Sequence, residues 1–290
     1  MIKYRPIVAF WTLLDMICRN LTLAAVVLAL LAGCAGRKTD DELTEGAYYR
    51  KATESLEKKA YLTAIDELEE LEARFPYGDY AEQALLDLVY ARYKSLDYPG
   101  AAAQADRFLR AFPASDATDY VLYIKGLAYN DMNLGLLARF SESRADKRDL
   151  DNYIQSFRTF EQLVRRYPDS DYAADARARM LWIRNQLAAQ EIAAATYYAR
   201  RGALIAAINR AKHVIVHYQR TPSVPEALAI MSRAYHTLEQ PVLAEKARKV
   251  LANSWPESDY LDSDEDSGIS LAWWPREQDS LLSLLTFDLL

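Results

Sequence analysis

The stretch Tyr167-Pro168-Asp169-Ser170-Asp171-Tyr172 decides the fold, because the chain carries versions of it five times. The others are Phe75-Pro76-Tyr77-Gly78-Asp79-Tyr80, Phe112-Pro113-Ala114-Ser115-Asp116, Tyr218-Gln219-Arg220-Thr221-Pro222 and Trp255-Pro256-Glu257-Ser258-Asp259-Tyr260. Proline cannot continue a helix and drives the residue before it out of helical geometry. The aromatic before it can then fold back onto the preceding helices while the chain starts a new one. Asp79 with Glu82 and Ser223 with Glu226 fit the capping-box spacing, and Pro225 suits a first helical turn. A unit that recurs in this way predicts a solenoid, and solenoids offer binding surfaces more often than catalytic sites.

The period follows from the closing positions. Pro76 to Pro113 is 37 residues, and Gln219 (where a fourth proline is expected) to Pro256 is again 37. The intervals 113 to 168 and 168 to 219 are 55 and 51, which leaves insertions of 18 and 14 over the 37-residue period. Twelve residues before each closing position stand Ala64, Ala101, Ser156, Ala207 and Ala244. A softer second marker falls on Ala52, Val89, Gly126, Ala195 and Ser232. Small side chains at fixed places let two helix backbones approach closely. The expected helix pairs are 46–58 with 61–74, 79–95 with 98–111, 116–133 with 149–166, 171–200 with 202–217, and 223–238 with 241–253. Fourteen residues are close to four helical turns, so that insertion lengthens a helix without turning its apolar face. The eighteen-residue insertion carries Gly135 and the mixed-charge run 141–148 and reads as an exposed loop.

These marks resemble the tetratricopeptide repeat over roughly residues 46–256. The expected fold is therefore all-α, a right-handed superhelical solenoid of five tetratricopeptide repeats filling residues 46–260. In such repeats the first helix lines the concave side. Tyr49, Tyr90, Tyr93, Tyr120 and Tyr123 fall at such positions, and Lys94 joins them. Tyrosine is in excess, 20 in 290 residues, and gives contact area at low entropy cost, which suits a groove for an extended peptide. The alternative is that these rings pack one repeat on the next.

The front of the chain predicts export. Leu21 to Leu31 is apolar except for Thr22 and ends in Leu31-Ala32-Gly33-Cys34. The run has the length of a signal-peptide core rather than a membrane span. Residues 1–33 are the expected signal peptide, with Met16 as an alternative start; an uncleaved anchor is the competing reading. Leu-Ala-Gly-Cys looks like a bacterial lipobox, which implies that Cys34 carries an S-diacylglyceryl group and an N-acyl chain. Several acyl chains hold a protein firmly to a bilayer. Ala35 after the cysteine resembles the outer-membrane pattern of such lipoproteins, and residues 34–45 read as the lipid-anchored tether. Cys18 leaves with the signal, so no disulfide can form within the mature chain.

Charge and composition exclude several functions. Without residues 1–33 the chain has 32 Lys and Arg against 40 Asp and Glu, a net charge of −8. That balance gives no general nucleic-acid footprint. Nine glycines and no alternating strand-length runs disfavour a β domain, a dinucleotide fingerprint or a phosphate loop. His213 and His217 share a helix face, but the stretch between them lacks a glutamate and no third donor lies nearby, so no metal is expected. His236 is isolated. Glu67, Glu69, Glu70 and Glu72 read as a solvated face. No nucleophile elbow or convergent carboxylate pair is present, so no enzyme and no cofactor beyond the covalent lipid are expected. Residues 261–290 read as an acidic, disordered tail with an apolar end, in which Trp273-Trp274-Pro275 and 281–290 are the segments able to dock on the solenoid or bind a partner.

The lipobox, the repeats, and the phrases Tyr-Tyr-Ala-Arg-Arg-Gly-Ala (197–203) and Ala-Ala-Ile-Asn-Arg-Ala (206–211) together resemble the BamD/ComL family. Its members are lipoprotein subunits of the outer-membrane β-barrel assembly machinery. The resemblance implies a protein anchored in the outer membrane and facing the periplasm. It implies that the first three repeats receive unfolded barrel precursors and that the last repeats hold the periplasmic domain of the barrel subunit BamA, with other Bam lipoproteins bound elsewhere. The arginine tied to the BamA contact falls on Arg201, with Arg200 adjacent; the alternative is a basic residue favoured by the helix macrodipole. The rival function is a periplasmic repeat adaptor that coordinates cell-wall synthesis or division with the envelope.

Overall fold

The computed structural model describes residues 44–132, 150–262 and 267–274. The signal, Met16, Cys34, the tether to residue 43, the inserted loop and the apolar end 281–290 lie outside the described residues. The contacts divide the chain into units 1–48 and 49–290. Of the first unit, residues 45–48 begin α1; the second holds everything that follows. Ten helices are described: α1 (Glu45–Glu57), α2 (Tyr61–Arg74), α3 (Ala81–Lys94), α4 (Tyr98–Ala111), α5 (Thr118–Met132), α6 (Leu150–Arg166), α7 (Ala173–Arg200), α8 (Leu204–His217), α9 (Val224–Thr237) and α10 (Pro241–Ser254). Among the described residues there is no strand, only one isolated antiparallel bridge between Leu261 and Ile269. From α2 onward each helix packs on the next, and α3 also meets α5 and α7 meets α9.

Two kinds of turn alternate. The first joins α1 to α2, α3 to α4, α7 to α8 and α9 to α10. In each, one residue takes the left-handed conformation: Lys59 (φ 58°), Leu96 (68°), Gly202 (73°) and Glu239 (57°). Its amide bonds the carbonyl three residues back, as Lys59 does to Leu56 at 2.9 Å. The next amide reaches five back: Ala60 to Ser55, Asp97 to Arg92, Ala203 to Tyr198 and Gln240 to Tyr235, each at 2.9 Å. This is the Schellman pattern, which satisfies the last carbonyls of a helix. Glycine, whose lack of a Cβ makes that conformation inexpensive, holds the place only at 202.

The second turn is the closing box. Phe75, Phe112, Tyr167, Tyr218 and Trp255 each bond their amide to the carbonyl four residues back, at 2.7–2.8 Å, on Leu71, Phe108, Leu163, Val214 and Leu251. All five of those acceptor residues are buried. The carbonyl of each aromatic then accepts from the amide three residues on, at 3.0–3.3 Å. Gln219 departs from proline without opening the turn: Tyr218 still receives Thr221 at 3.3 Å, and the strain moves to Arg220, at φ 62°.

The capping box expected at Ser223 does not form, since Ser223 makes no side-chain cap bond. α3 starts after Tyr80, one residue beyond the expected Asp79. The closing turn has already supplied the acceptor, since Ala81 bonds the Gly78 carbonyl and Val224 that of Thr221, both at 3.2 Å. Asp97, which the sequence did not mark, is a side-chain cap, accepting from the Gly100 amide at 3.0 Å.

The small-residue markers lie where paired helices meet. Ala64, Ala101, Ser156 and Ala207 are fully buried, as are Ala52, Val89, Ala195 and Ser232. Where a marker is serine, its hydroxyl crosses to the facing helix: Ser156 donates to the Gly126 carbonyl at 2.8 Å and Ser232 to that of Ala244 at 2.9 Å. A Cβ on Gly126 would lie 2.5 Å from the Phe160 ring, so only glycine admits α6 this closely.

The core divides along α7. Ala173, Ala176, Ile183 and Leu187 share a cluster with Tyr153, Phe160 and Leu163 of α6. Ala188, Ile192, Ala195 and Ala199 share a second cluster with Ala207, Ala211 and Val214 of α8. The fourteen-residue insertion thus gives one helix two successive packing stretches.

Two expectations are corrected here. The glutamate run is not simply a solvated face. Glu67 is 8 % exposed, accepts from Ser55 at 2.6 Å and faces Lys51 at 3.5 Å, both from α1. Glu69 pairs with Arg92 of α3, and Glu72 accepts from Arg107 of α4 at 2.9 Å. Only Glu70 pairs within its own helix, with Arg74. The tail, expected to be disordered from 261, is ordered over 267–274. Ile269 is 1 % exposed and joins Leu271 in the second cluster with Leu228 and Leu251. Burial of those two side chains outweighs the ordering entropy that the acidic composition alone would not offset.

Candidate functional site

The tyrosines expected to line a first-helix groove sit on α1, α3 and α5, and their hydroxyls tie each of these helices to the next odd-numbered one. Tyr49 of α1 donates to Asp87 of α3 at 2.9 Å. Tyr93 of α3 donates to Asp131 of α5 at 2.8 Å. Tyr123 of α5 donates to Asp175 of α7 at 2.7 Å. Two of these bonds carry the same aromatic stack. The Tyr49 ring lies on Tyr80 at 4.6 Å and 23°, and the Tyr123 ring on Tyr172 at 4.8 Å and 21°. Tyr80 and Tyr172 are the last residues of their closing boxes. The sequence reading passed over both, although their shared place in the box was the signal that could have found them. Tyr120 also meets Tyr172, at 5.5 Å.

Tyr90 and Lys94 are placed differently. The Tyr90 ring meets Tyr61 of α2 edge-on at 6.1 Å, and the Lys94 ammonium stands 5.8 Å from the Tyr90 ring. The rings of Tyr49, Tyr90, Tyr93, Tyr120 and Tyr123 are all half-buried, whereas Lys94 is exposed. Packing between successive helices and a partly open aromatic surface are therefore the same residues.

The electrostatics follow from that half-burial. Burial, reinforced by the negative charge of Asp87, pushes the Tyr49 hydroxyl up to about 12. Burial raises Tyr93 and Tyr120 still further, with Asp131 adding to it at Tyr93. Each hydroxyl stays protonated at neutral pH. Those of Tyr49, Tyr93 and Tyr123 spend their proton on a carboxylate, so toward a ligand they offer an acceptor lone pair and a ring edge. Burial raises Asp87 against the bonds from Gln83 and Tyr49. At Asp175 burial acts in the same direction, but the bonds from Arg179 and Tyr123 outweigh it and hold the carboxyl below its ordinary value. The result is a surface of rings, carboxylates and one guanidinium.

Arg200 and Arg201 stand at the C-terminal end of α7, both exposed. The Arg201 guanidinium lies over the Tyr197 ring at 4.7 Å, and Arg200 over Trp273 of the docked tail at 5.8 Å. Tyr197 is itself 51 % exposed. Two cation–aromatic pairs thus crown a turn fixed by Gly202. The position also suits the helix dipole, and both causes act together.

His213 and His217 are exposed, with ring centres 4.3 Å apart. Among the described residues, no cluster of three or more His, Cys, Asp or Glu could hold a metal ion. No described helix is long and apolar enough to cross a membrane. Cys34 lies outside the described residues.

The model of a family described as YfiO, outer membrane lipoprotein, matches residues 41–260. The outer membrane protein assembly factor BamD of Neisseria meningitidis serogroup B (strain MC58) is 37 % identical over 251 residues, covering 84 % of this chain and 94 % of that protein. The protein of the same name from Vibrio cholerae is 36 % identical over 228 residues, covering 78 % and 94 %. That from Xylella fastidiosa (strain Temecula1) is 32 % identical over 271 residues, covering 91 % and 90 %.

Proposed function

The chain belongs to the BamD family of outer-membrane protein assembly factors, and from that premise we propose that it is a lipid-anchored scaffold that receives unfolded barrel precursors. The family makes it an assembly factor rather than an enzyme, associated with the outer membrane. The finer reading is ours. The ten helices are five tetratricopeptide units wound as a right-handed superhelix. Cys34 carries the N-acyl and S-diacylglyceryl chains that hold the solenoid to the inner leaflet of the outer membrane, facing the periplasm.

The observation that carries the reading is the tyrosine–aspartate ladder from α1 to α7. A precursor strand is extended, and its alternate side chains need ring faces and polar handles at intervals along one surface. Tyr49, Tyr90, Tyr93, Tyr120 and Tyr123 supply the rings, with Lys94 beside them. Arg201 and Arg200, at the far end of α7, suit a carboxylate-bearing surface and are assigned to the periplasmic domain of BamA. Other Bam lipoproteins take surfaces elsewhere on the solenoid.

A labelled peptide of the C-terminal strand of a barrel precursor, titrated against the full chain in detergent, tests this. Tyr120→Ala with Tyr123→Ala is expected to weaken binding roughly tenfold, the loss of two aromatic contacts, while Arg201→Glu leaves it unchanged and lowers recovery of BamA from solubilised membranes. Equal affinity for the tyrosine variant and the unaltered chain would remove the ladder from the function.

A further inference from the structure

The length of α7 creates a feature the tyrosine face does not use. Because α6 packs on the stretch ending at Leu187 and α8 on the stretch beginning at Ala188, the two helices sit on successive parts of α7. A cleft of about 410 Å³ remains between them. Its apolar lining is Ile154 and Phe157 of α6, Leu187 of α7, and the closing aromatic Tyr218. Its polar and charged lining is the His217 ring, Arg158, Arg184 and a single carboxylate, Glu161.

What sets these two arginines apart is their place beside the apolar lining, where no ion pair holds them. Arg74, Arg92, Arg107, Arg179, Arg210 and Arg248 each pair with a carboxylate. Arg158 and Arg184 have no carboxylate partner among the described residues, in a protein whose formal charge is −6. Guanidinium groups left unpaired beside an apolar pocket match a ligand with carboxylates on either side of a bulky apolar group, since the planar fork binds carboxylate through two parallel bonds.

We propose that the cleft between α6, α7 and α8 is a second docking site, which takes an acidic segment of a companion polypeptide with one aromatic or leucine side chain inserted between its carboxylates. This rests on the reading of the protein as an assembly scaffold. The volume holds one large side chain rather than a pair of acyl chains. Glu161 on the rim also disfavours a polyanionic headgroup. Both features select a polypeptide over a lipid.

The test is fluorescence anisotropy of a labelled probe, Gly-Ser-Glu-Asp-Phe-Asp-Glu-Gly-Ser, with the full chain in detergent at low salt. Saturable binding is expected, weakened at least about tenfold by Arg158→Glu with Arg184→Glu, and likewise by replacing the probe's Phe with Ser. Arg158→Gln with Arg184→Gln, a milder change, is expected to fall between. Unchanged helical circular dichroism confirms that the variants fold. Equal binding by the charge-reversed protein, or by a probe with Lys in place of its acids, overturns the site. Displacement of the probe by phosphatidylglycerol vesicles overturns it in favour of a lipid. The barrel-strand peptide, run on the same proteins, separates the two claims: if it fails to bind while the acidic probe binds, the cleft stands and the client-receiving reading falls.

Discussion

Leu96 and Gly202 occupy the same place in two copies of one turn, at φ 68° and 73°. A β-carbon there costs about 1–2 kcal/mol relative to a right-handed conformation, and Leu96, 48 % exposed, recovers little of it by burial. Leu96→Gly is expected to raise stability by about 1 kcal/mol, read as a higher urea midpoint at unchanged slope; a lower midpoint would mean that the side chain contributes packing that its exposure does not indicate. Asp87 offers a test of the opposite sign in pH. Its folded carboxyl is held above the usual 3.8 by burial, so its contribution is most favourable when protonated and is lost as pH rises through the folded value. Asp87→Asn keeps an acceptor for the Tyr49 hydroxyl and cannot ionise. Its melting temperature relative to the unaltered chain is therefore expected to rise between pH 3 and pH 7, and a difference that does not change with pH would show that Asp87 titrates normally. The residue-level signals that were legible in the sequence were those fixed by size or ring closure, the small markers and the prolines. The left-handed turn was not, because three of its four copies lack glycine. Glu67 was not either, because a carboxylate in a charged run looks the same whether it faces water or Ser55.

At the scale of elements, the period was readable because each helix pair must close in the same way, and the closing box does so through the same two backbone bonds in all five copies. The fourteen-residue insertion was also readable, since near-integral turns keep an apolar face in line; α7 runs Ala173–Arg200 with buried residues along its length. The sequence left docking of Trp273-Trp274-Pro275 open but did not point to Ile269, the side chain buried in the second cluster. The acidic approach to that residue resembles a disordered linker, and only the second cluster supplies a partner for Ile269. The segment 267–274 is expected to act as the cap of the last helix pair. Ile269→Ala should cost about 2–5 kcal/mol locally, seen as lost hydrogen-exchange protection in α9 and α10 with α2 to α6 unaffected. Protection that does not change would mean that the segment rides on the surface.

For the molecule as a whole, half-buried tyrosines are the joints between successive helices and, in the function proposed above, also the surface offered to a client. That economy explains why the sequence alone left groove and packing as rivals for Tyr49 and Tyr123: a ring stacked on the next helix, with its hydroxyl on that helix's carboxylate, serves both. It also separates the parts in space. The ladder runs from α1 to the start of α7, and the paired arginines crown the other end of that helix, so under the proposed function client and companion subunit would not compete. The most direct measurement is site-specific photo-crosslinking in cells between this protein and newly exported barrel precursors. A photoreactive residue replacing Tyr90 or Tyr120, beside the ladder on α3 and α5, is compared with one replacing Leu62, which is 71 % exposed on α2. Adducts to precursors from positions 90 and 120, and none from 62, are the predicted result; equal adducts from all three, or none from the tyrosine positions, would contradict it.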